Sequence, residues 1–494
     1  MGGDELAYLS LAAQARLIEK RELSPVDLVG LYLRRIERFD PYLNSYITVC
    51  ADSALARARE AEAEIAAGNY RGPLHGIPYG VKDQFNTKGI LTTLGSSILA
   101  DNVPDHDATV IERMDGAGAI LLGKQNMHEF GKGSTHRFHF GQPHNPWNLA
   151  YHASSSSSGS GSGPAAGLCS GALGEDTGGS IRGPAWASGI VGLRPTYGRV
   201  SRFGAVMYAY TQDTIGPLAR NVEDCAILLQ AIAGHDPKDP LSSTREVPDY
   251  RSALTAGLEG LRIAVVSEMT WMENTHKEVA DAVKDAIEVF TSLGALVTEV
   301  SLPLVKYAVP LQMLTSDADA AGVFVQKWLR TRWSDFDKGT RSRAAAAAMV
   351  PAAVYTRAMR ARALLRGQIL DAFADHDALI SPTSPTPLKR IEEAREVVET
   401  PADMVKNVLS TRRLCTFPYS VANVPVIAVP IGFSSSGLPL SLQIAARPFN
   451  EEMVFRIAHA YERATPWHEK HPDLDHTIAR AEMSADLAAA AAGE

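Results

Sequence analysis

The chain has 494 residues, of which 45% are hydrophobic and 21% charged, values close to the average of globular proteins. Its formal net charge is −8 and it contains no basic cluster, which argues against nucleic acid as a main partner. The N-terminal residues resemble no secretion signal, and no apolar run is long enough to span a membrane. We therefore expect a soluble cytoplasmic protein with no membrane partner.

The first 83 residues predict helices followed by a buried strand. Ser24-Pro25 is a typical helix start, and a second helix is expected from 52 to 67. The apolar run 77–81 predicts a short strand that ends at Lys82. Lysines are usually exposed, but a buried strand would carry this one into the interior, where burial favours the uncharged amine.

A histidine-rich segment comes next, which raises the hypothesis of a metal site. Its histidines are His128, His136, His139, His144 and His152. No H-E-x-x-H motif occurs and no cysteine joins the cluster, so we interpret them as loop and pocket residues and expect no metal and no cofactor. The four cysteines of the chain are scattered without metal or redox spacing and are expected to be reduced.

The stretch 145–199 is the most unusual part of the chain. It contains a Ser/Gly tract at 154–163 and then the run Asp176 to Arg182, which reads DTGGSIR. A flexible linker is the alternative, but the tract continues directly into apolar, patterned sequence. Neither a dinucleotide-binding fingerprint nor a G-x-S-x-G elbow fits. A Gly-Gly-Ser turn places backbone N–H groups beside the Ser180 hydroxyl, which is the arrangement that acyl transfer requires.

The remaining sequence alternates between strand-like and helix-like segments. A turn at 213–217 leads into a helix, and strands are expected at 261–266, 296–300, 377–385, 426–431 and 440–444. A helix spans 278–293, and residues 305–375 are mainly helical. This alternation indicates an α/β architecture. We expect a single domain over residues 1–480 and a loosely ordered Ala-rich tail over 481–494.

Three motifs in order give the chain a family resemblance. The Ser-rich segment 154–160, the DTGGSIR run and Gly192 to Arg199 (GLRPTYGR) are accompanied by Val81-Lys82-Asp83. In these features the chain resembles the amidase signature family from Leu11 to Pro472. The resemblance implies one large α/β domain with a twisted mixed sheet covered by helices on both faces. It also implies hydrolysis of a small-molecule carboxamide, a possible homodimer, and a role for residues 305–375 in shaping the substrate cavity.

The resemblance also assigns roles to individual residues. Ser180 would be the nucleophile, Ser156 the proton bridge with Ser157 as the fallback, and Lys82 the base. The backbone N–H groups of the oxyanion hole would come from Thr177, Gly178, Gly179 and Ser180, while Asp176 and Arg182 would brace the loop. The family's bridging serine follows a cis peptide bond.

One departure from the family pattern and three functions stay open. Serines stand at 154, 155 and 158, where the family has glycines. The chain is expected to be a free-standing amide hydrolase. The segments 198–204 and 231–237 instead resemble the glutamine-hydrolysing A subunit of a tRNA-dependent amidotransferase, whereas 465–468 resembles free-standing enzymes. A non-catalytic binding protein on the same fold is the third possibility, and the substrate is not specified by the sequence.

Overall fold

The computed structural model describes residues 3–132, 138–393 and 413–492. Its strands are β1 (Tyr46–Val49), β2 (Pro78–Lys82), β3 (Ile120–Gln125), β4 (His144–Asn145), β5 (Asn148–His152), β6 (Gly171–Asp176), β7 (Val191–Arg194), β8 (Thr214–Ala219), β9 (Arg262–Val266), β10 (Leu296–Val300), β11 (Ala378–Pro382), β12 (Val426–Phe433) and β13 (Pro439–Ala445). Eleven of them form one mixed sheet in the order β1-β3-β2-β6-β8-β7-β12-β13-β11-β9-β10, and β4 pairs with β5.

The helices lie before, between and after these strands. They are α1 (Gly3–Tyr8), α2 (Leu11–Glu19), α3 (Pro25–Leu43), α4 (Ala51–Ala66), α5 (Thr109–Gly116), α6 (Ser158–Ala165), α7 (Arg182–Ser188), α8 (Val222–Ile232), α9 (Ser267–Thr270), α10 (Lys277–Ser292), α11 (Ala308–Phe324), α12 (Lys338–Ala348), α13 (Ala352–Ala372), α14 (Arg413–Ala422), α15 (Glu451–Ala464) and α16 (Leu474–Ala492). Within the described ranges, no helix is both long enough and apolar enough to cross a membrane.

Alternate residues of the central strands face two different hydrophobic clusters. Ile263 and Val265 of β9 belong to the large cluster that includes α3, α8, α10 and α15. Ala264 and Val266 belong to the cluster formed with α11, α13 and α14. Because side chains alternate between the two faces of a strand, helices cover both faces of the sheet. The predicted α/β fold with a mixed, two-sided sheet is confirmed.

Local predictions were met where the chain carries strong local chemistry. The Ser24 hydroxyl caps α3 by accepting hydrogen bonds from the N–H groups of Val26 and Asp27 at 3.0 and 3.3 Å. Residues 305–375 are mainly helical, as expected. The expected disorder after residue 480 stays a prediction, and α16 is described to Ala492.

The predicted turn at 213–217 is wrong, because residues 214–217 belong to β8. This strand lies between β6 and β7 and is buried throughout. Gly216 and Pro217 suggest a turn in the sequence, but here the glycine is needed for close strand packing. A Cβ on Gly216 would lie 2.1 Å from the carbonyl oxygen of Leu193, so no larger residue fits between the strands.

Candidate active site

Two neighbouring parallel strands bring the candidate residues to one edge of the sheet. β2 pairs with β6 through Tyr79–Gly171 and Val81–Leu173. Lys82 ends β2, and Asp176 ends β6. Because the carboxyl ends of parallel strands meet at the same edge, Lys82 reaches the backbone that leads into the DTGGSIR run.

Lys82 is completely buried and contacts two polar side chains. Its Nζ donates to Ser156 Oγ at 2.9 Å and lies 3.1 Å from Glu175 Oε2. Ser156 is 1% exposed and Glu175 is 1% exposed, so the three groups are shielded from water. The peptide bond between Ser155 and Ser156 is cis. The predicted base and proton bridge therefore lie in direct contact.

The neighbouring Ser157 has different contacts. Its hydroxyl donates to the carbonyl oxygen of Glu175 at 3.2 Å and lies 3.3 Å from the Glu175 nitrogen. Its own N–H donates to the carbonyl oxygen of Ser180 at 3.4 Å. Ser157 thus joins the Ser-rich tract to the TGGS loop (residues 177–180), while Ser156 faces Lys82. The geometry favours Ser156 over the fallback.

Asp176 organises the TGGS loop through its backbone. The Asp176 carboxylate accepts the N–H of Gly179 at 2.6 Å and that of Ile181 at 3.2 Å. Gly179 has φ of 120°, a conformation that favours glycine, and a Cβ there would lie 2.8 Å from Thr416 Oγ1. Because the Gly179 N–H donates to Asp176, it is not available to an acyl oxygen. Of the four backbone donors predicted for the oxyanion hole, this leaves Thr177, Gly178 and Ser180.

Two arginines neutralise Asp176 inside the protein. Arg182 Nε lies 3.1 Å from Asp176 Oδ2, and Arg194 Nη1 lies 3.4 Å from Oδ1, all three side chains being fully buried. Although burial disfavours the charged carboxylate, the two guanidinium groups hold the pKa of Asp176 well below its usual range. Arg182 also donates to Thr416 O, Gln443 Oε1 and Ser420 Oγ, which anchors the loop to α14 and β13.

Ser180 is half-buried and faces a cleft. The TGGS loop forms one wall, and Ser154 and Ser155 form another, together with the apolar side chains of Trp186 and Phe417. Ser156 and Lys82 are buried behind this lining. The arrangement places a hydroxyl at the cleft surface and a buried amine–hydroxyl pair next to it.

The three serines that replace family glycines have unequal consequences. Ser154 has φ of 63°, in the left-handed region, and its Oγ is buried without a hydrogen-bond partner among the described residues. Ser158 begins α6 and donates to the carbonyl oxygen of Asn126 at 3.3 Å. Only Ser154 of the three has a positive φ.

The histidine-rich segment does not assemble a metal site in the described structure. Across residues 3–132, 138–393 and 413–492 no group of three or more His, Cys, Asp or Glu side chains is placed to hold a metal ion. His128 lines the cleft, His144 lies on β4 and His152 on β5. His136 lies outside the described residues.

Four charged residues of the site were missed by sequence reasoning. Glu175 contacts Lys82, and the cations Lys132, Arg343 and Arg413 line the cleft. Arg343 falls in the section 305–375 that was expected to shape the cavity. The other three carry no motif, and only the tertiary structure brings them to the site.

The chain is similar to known proteins over most of its length. The Amidase family matches residues 27–455. The A subunit of the glutamyl-tRNA(Gln) amidotransferase of Geobacter metallireducens is 40% identical over 488 residues, which is 94% of this chain and 99% of that protein. A solved structure described as a vestigial complex revealing the origins of an s-triazine catabolic enzyme has a TM-score of 0.85 at 31% identity, covering 92% of this chain and 98% of that one. Native peptide amidase from Stenotrophomonas maltophilia has a TM-score of 0.79 at 30% identity, covering 92% and 96%.

The prediction that nucleic acid is not a partner is wrong in the light of these relatives. The Geobacter protein is named as part of an enzyme for glutamyl-tRNA(Gln). Net charge describes the whole chain and its non-specific attraction to a polyanion. Net charge therefore does not show whether a protein acts on a group attached to a tRNA, because the nucleic acid can be held by surfaces away from the reacting group.

Proposed function

The chain belongs to the amidase family, and we propose that it cleaves the C–N bond of a carboxamide through an acyl-enzyme on Ser180. It is an amidase, an enzyme that acts on amide C–N bonds. The observation that carries the proposal is the buried 2.9 Å hydrogen bond from Lys82 Nζ to Ser156 Oγ, next to the loop that holds Ser180. A single catalytic domain ending near residue 480 and a cytoplasmic location stay predictions.

Acylation begins with activation of Ser180. An unaided serine hydroxyl is a weak nucleophile, so a base must take its proton. Uncharged Lys82 accepts a proton from Ser156 Oγ while Ser156 accepts the proton of Ser180. The buried carboxylate of Glu175, 3.1 Å from Nζ, stabilises the ammonium that forms. Ser180 Oγ then bonds to the amide carbon, and the carbonyl electrons move to the oxygen.

The TGGS loop stabilises the resulting oxyanion. The N–H groups of Thr177, Gly178 and Ser180 supply the donors in this proposal, and the loss of one such donor typically costs about 10²–10³ in rate. When the C–N bond breaks, Ser156 returns a proton to the departing nitrogen and regains one from Lys82. Water then attacks the acyl-enzyme by the same relay and releases the carboxylic acid and Ser180.

Replacement of the three relay residues tests this mechanism. The variants are Ser180→Ala, Ser156→Ala and Lys82→Met. Each should lower the rate of hydrolysis by about 10⁴-fold or more for a panel of aliphatic, aryl and anilide amides plus glutamine. The matched control is Ser160→Ala, since this buried serine lies in the same tract but donates to the carbonyl oxygen of Leu173 at 3.2 Å. Retained turnover in Ser180→Ala would refute the acyl-enzyme.

A covalent label separates this proposal from a non-catalytic binding protein. A serine-directed inhibitor should add its mass to the peptide that contains Ser180 in the wild-type protein. Lys82→Met should slow that labelling, because the relay that activates the hydroxyl is broken. A chain that is never labelled and hydrolyses no amide would favour a binding protein on the same fold.

A second candidate is the glutamine-hydrolysing A subunit of a tRNA-dependent amidotransferase. The 40% identity to the Geobacter protein, across nearly the whole of both chains, favours it. In that case the chain should copurify with partner subunits, and its glutamine hydrolysis should depend on glutamyl-tRNA(Gln). Turnover of other amides by the isolated chain, unaffected by tRNA, would favour the free-standing enzyme.

A further inference from the structure

The cleft in front of Ser180 has an uneven charge. Lys132, Arg343 and Arg413 all line it, and its lining among the described residues includes no aspartate or glutamate. These cations come from three separate parts of the chain: the loop before residue 133, helix α12 and the first residue of α14. An arginine guanidinium has five N–H donors, arranged in a fork that matches a carboxylate. An arginine that contacts other protein groups therefore still has N–H donors for a ligand.

One carboxylate stands behind the cations and holds two of them in place. Asp317 Oδ2 lies 2.6 Å from Arg343 Nε, and its Oδ1 lies 3.6 Å from Lys132 Nζ. Oδ1 also accepts a hydrogen bond from the Tyr208 hydroxyl at 3.0 Å. Asp317 is thereby occupied. Asp213 is a second buried carboxylate whose charge acts on Lys132, but neither carboxylate lines the cleft, whose described lining carries three cations and no acidic side chain.

Two helices connect these cations to the TGGS loop. On α11, Gln312 Nε2 donates to Thr177 O at 2.9 Å, and Ser316 lies 3.3 Å from Lys132 Nζ. Four helical residues rise about 6 Å. On α14, Thr416 Oγ1 donates to Gly178 O at 2.8 Å, and Arg413 lies one turn earlier, about 5 Å along the axis. In both helices, the residue that contacts or carries a cation therefore lies about one turn from the residue that contacts the loop.

We propose that the substrate is a short carboxamide that carries a carboxylate at the far end of its acyl chain and no ammonium group. A monoamide of a short dicarboxylic acid meets this description. The inference rests on the proposed amide hydrolysis and names the substrate class for the same cleft. The amide carbon would lie at Ser180 Oγ, and the remote carboxylate would lie among Lys132, Arg343 and Arg413.

The same charges discriminate against two related compounds. Glutamine presents an α-ammonium beside its carboxylate, and the described lining offers that ammonium no counter-charge while its cations repel it. An uncharged amide of equal length offers these cations no negative charge to bind. The distinction separates this chain from an enzyme whose main substrate is glutamine.

Three compounds with the same terminal amide test the inference. Glutaramate, glutamine and pentanamide differ only in the groups at the far end. We expect kcat/KM for glutaramate to exceed those for glutamine and pentanamide by about 10²-fold, the scale of two charge-assisted contacts at 1.4 kcal/mol per tenfold. Equal values for the three compounds, or a preference for glutamine, would overturn the inference while the proposed amide hydrolysis stands.

Two variants locate the effect in the cleft. Arg343→Gln and Arg413→Gln should each raise KM for glutaramate about tenfold or more and should change kcat/KM for pentanamide much less, so that the preference for glutaramate falls. The matched control is Arg341→Gln, since Arg341 lies on the same helix but stacks on Trp333 outside the cleft lining. If the preference for glutaramate survives in both variants, the carboxylate is not held by these arginines and the inference fails.

Binding decides the matter if none of the three amides is hydrolysed. Calorimetry on Ser180→Ala should show that glutaramate binds at least tenfold more tightly than pentanamide or glutamine. Adding 0.5 M NaCl should weaken the binding of glutaramate. Failure to hydrolyse any amide, together with this binding preference, would count against the proposed function and leave the ligand class supported. Equal binding of all three would overturn the ligand class.

Discussion

Arg182→Met tests whether the buried charges around Asp176 hold the TGGS loop. In the wild-type protein Arg182 contacts both carboxylate oxygens of Asp176 at 3.1 Å and donates to Thr416, Gln443 and Ser420. Methionine fills much of the volume but leaves a buried carboxylate with Arg194 as its remaining cation. Removing one partner of a buried pair costs about 3–5 kcal/mol. We expect that loss in the free energy of unfolding at pH 7, together with loss of amidase activity.

The pH dependence of that loss supplies an independent check. The depressed pKa of Asp176 contributes stability that is present above the unfolded value of about 3.9 and is lost as pH falls through the folded value. In Arg182→Met the depression shrinks, since burial still favours the protonated acid. The difference between variant and wild type should therefore be largest near pH 7 and smaller at pH 4.

Urea unfolding, followed by both tryptophan fluorescence and circular dichroism, measures these differences where the two transitions coincide. The control is Arg57→Met, because Arg57 also contacts two carboxylates but is 40% exposed, and exposed pairs contribute about 0–1 kcal/mol. Adding Asp176→Asn to Arg182→Met should recover part of the loss, since no unpaired charge stays buried. A loss below about 1 kcal/mol, as for the control, would refute the account of the loop.

Three further predictions concern single contacts. Ser154→Gly should raise the free energy of unfolding by about 1 kcal/mol. The variant removes a non-glycine residue from the left-handed region and a buried hydroxyl that has no hydrogen-bond partner among the described residues. Urea unfolding that shows no gain in stability would contradict this prediction. Glu175→Gln removes the anion that lies 3.1 Å from Lys82 Nζ and stabilises the ammonium formed during acylation, so kcat should fall while circular dichroism stays unchanged; an unchanged kcat would exclude this role. Burial and the nearby Arg343 lower the pKa of Lys132 to about 8, so KM for glutaramate should rise above that pH as the charge is lost, while KM for pentanamide stays constant; parallel profiles for the two amides would contradict the assignment.

Local chemistry accounts for the parts of the fold that the sequence predicted. The Ser24 cap and the strands β12 and β13 depend on short-range patterns, and the structure contains all three. The turn predicted at 213–217 failed because Gly216 has a long-range role. Its lack of a side chain allows β7 to approach, and this is a property of the assembled sheet that no local pattern contains.

In the candidate site, too, some residues were predicted from local motifs and others are brought there only by the tertiary structure. Lys82, Ser156 and Ser180 were predicted from motifs, and the structure brings Lys82 and Ser156 into contact. Glu175 is next to a motif residue in sequence, yet its contact with Lys82 arises only from the parallel pairing of β2 with β6. Sequence neighbours point to opposite faces of a strand, so adjacency to Asp176 gave no indication that Glu175 would reach the lysine.

The charge of the cleft illustrates why a whole-chain average does not describe a binding site. The chain is acidic overall, with a net charge of −8, but the described lining of its cleft carries three cations and no acidic side chain. Lys132 and Arg413 are 281 positions apart in the printed chain, and each looks in isolation like an ordinary surface cation. A field that acts on a small substrate depends on the few charges within about 10 Å, because more distant exposed charges are screened by salt. Ligand charge therefore follows from the lining of the cleft, and it becomes predictable only when the fold has brought those residues together.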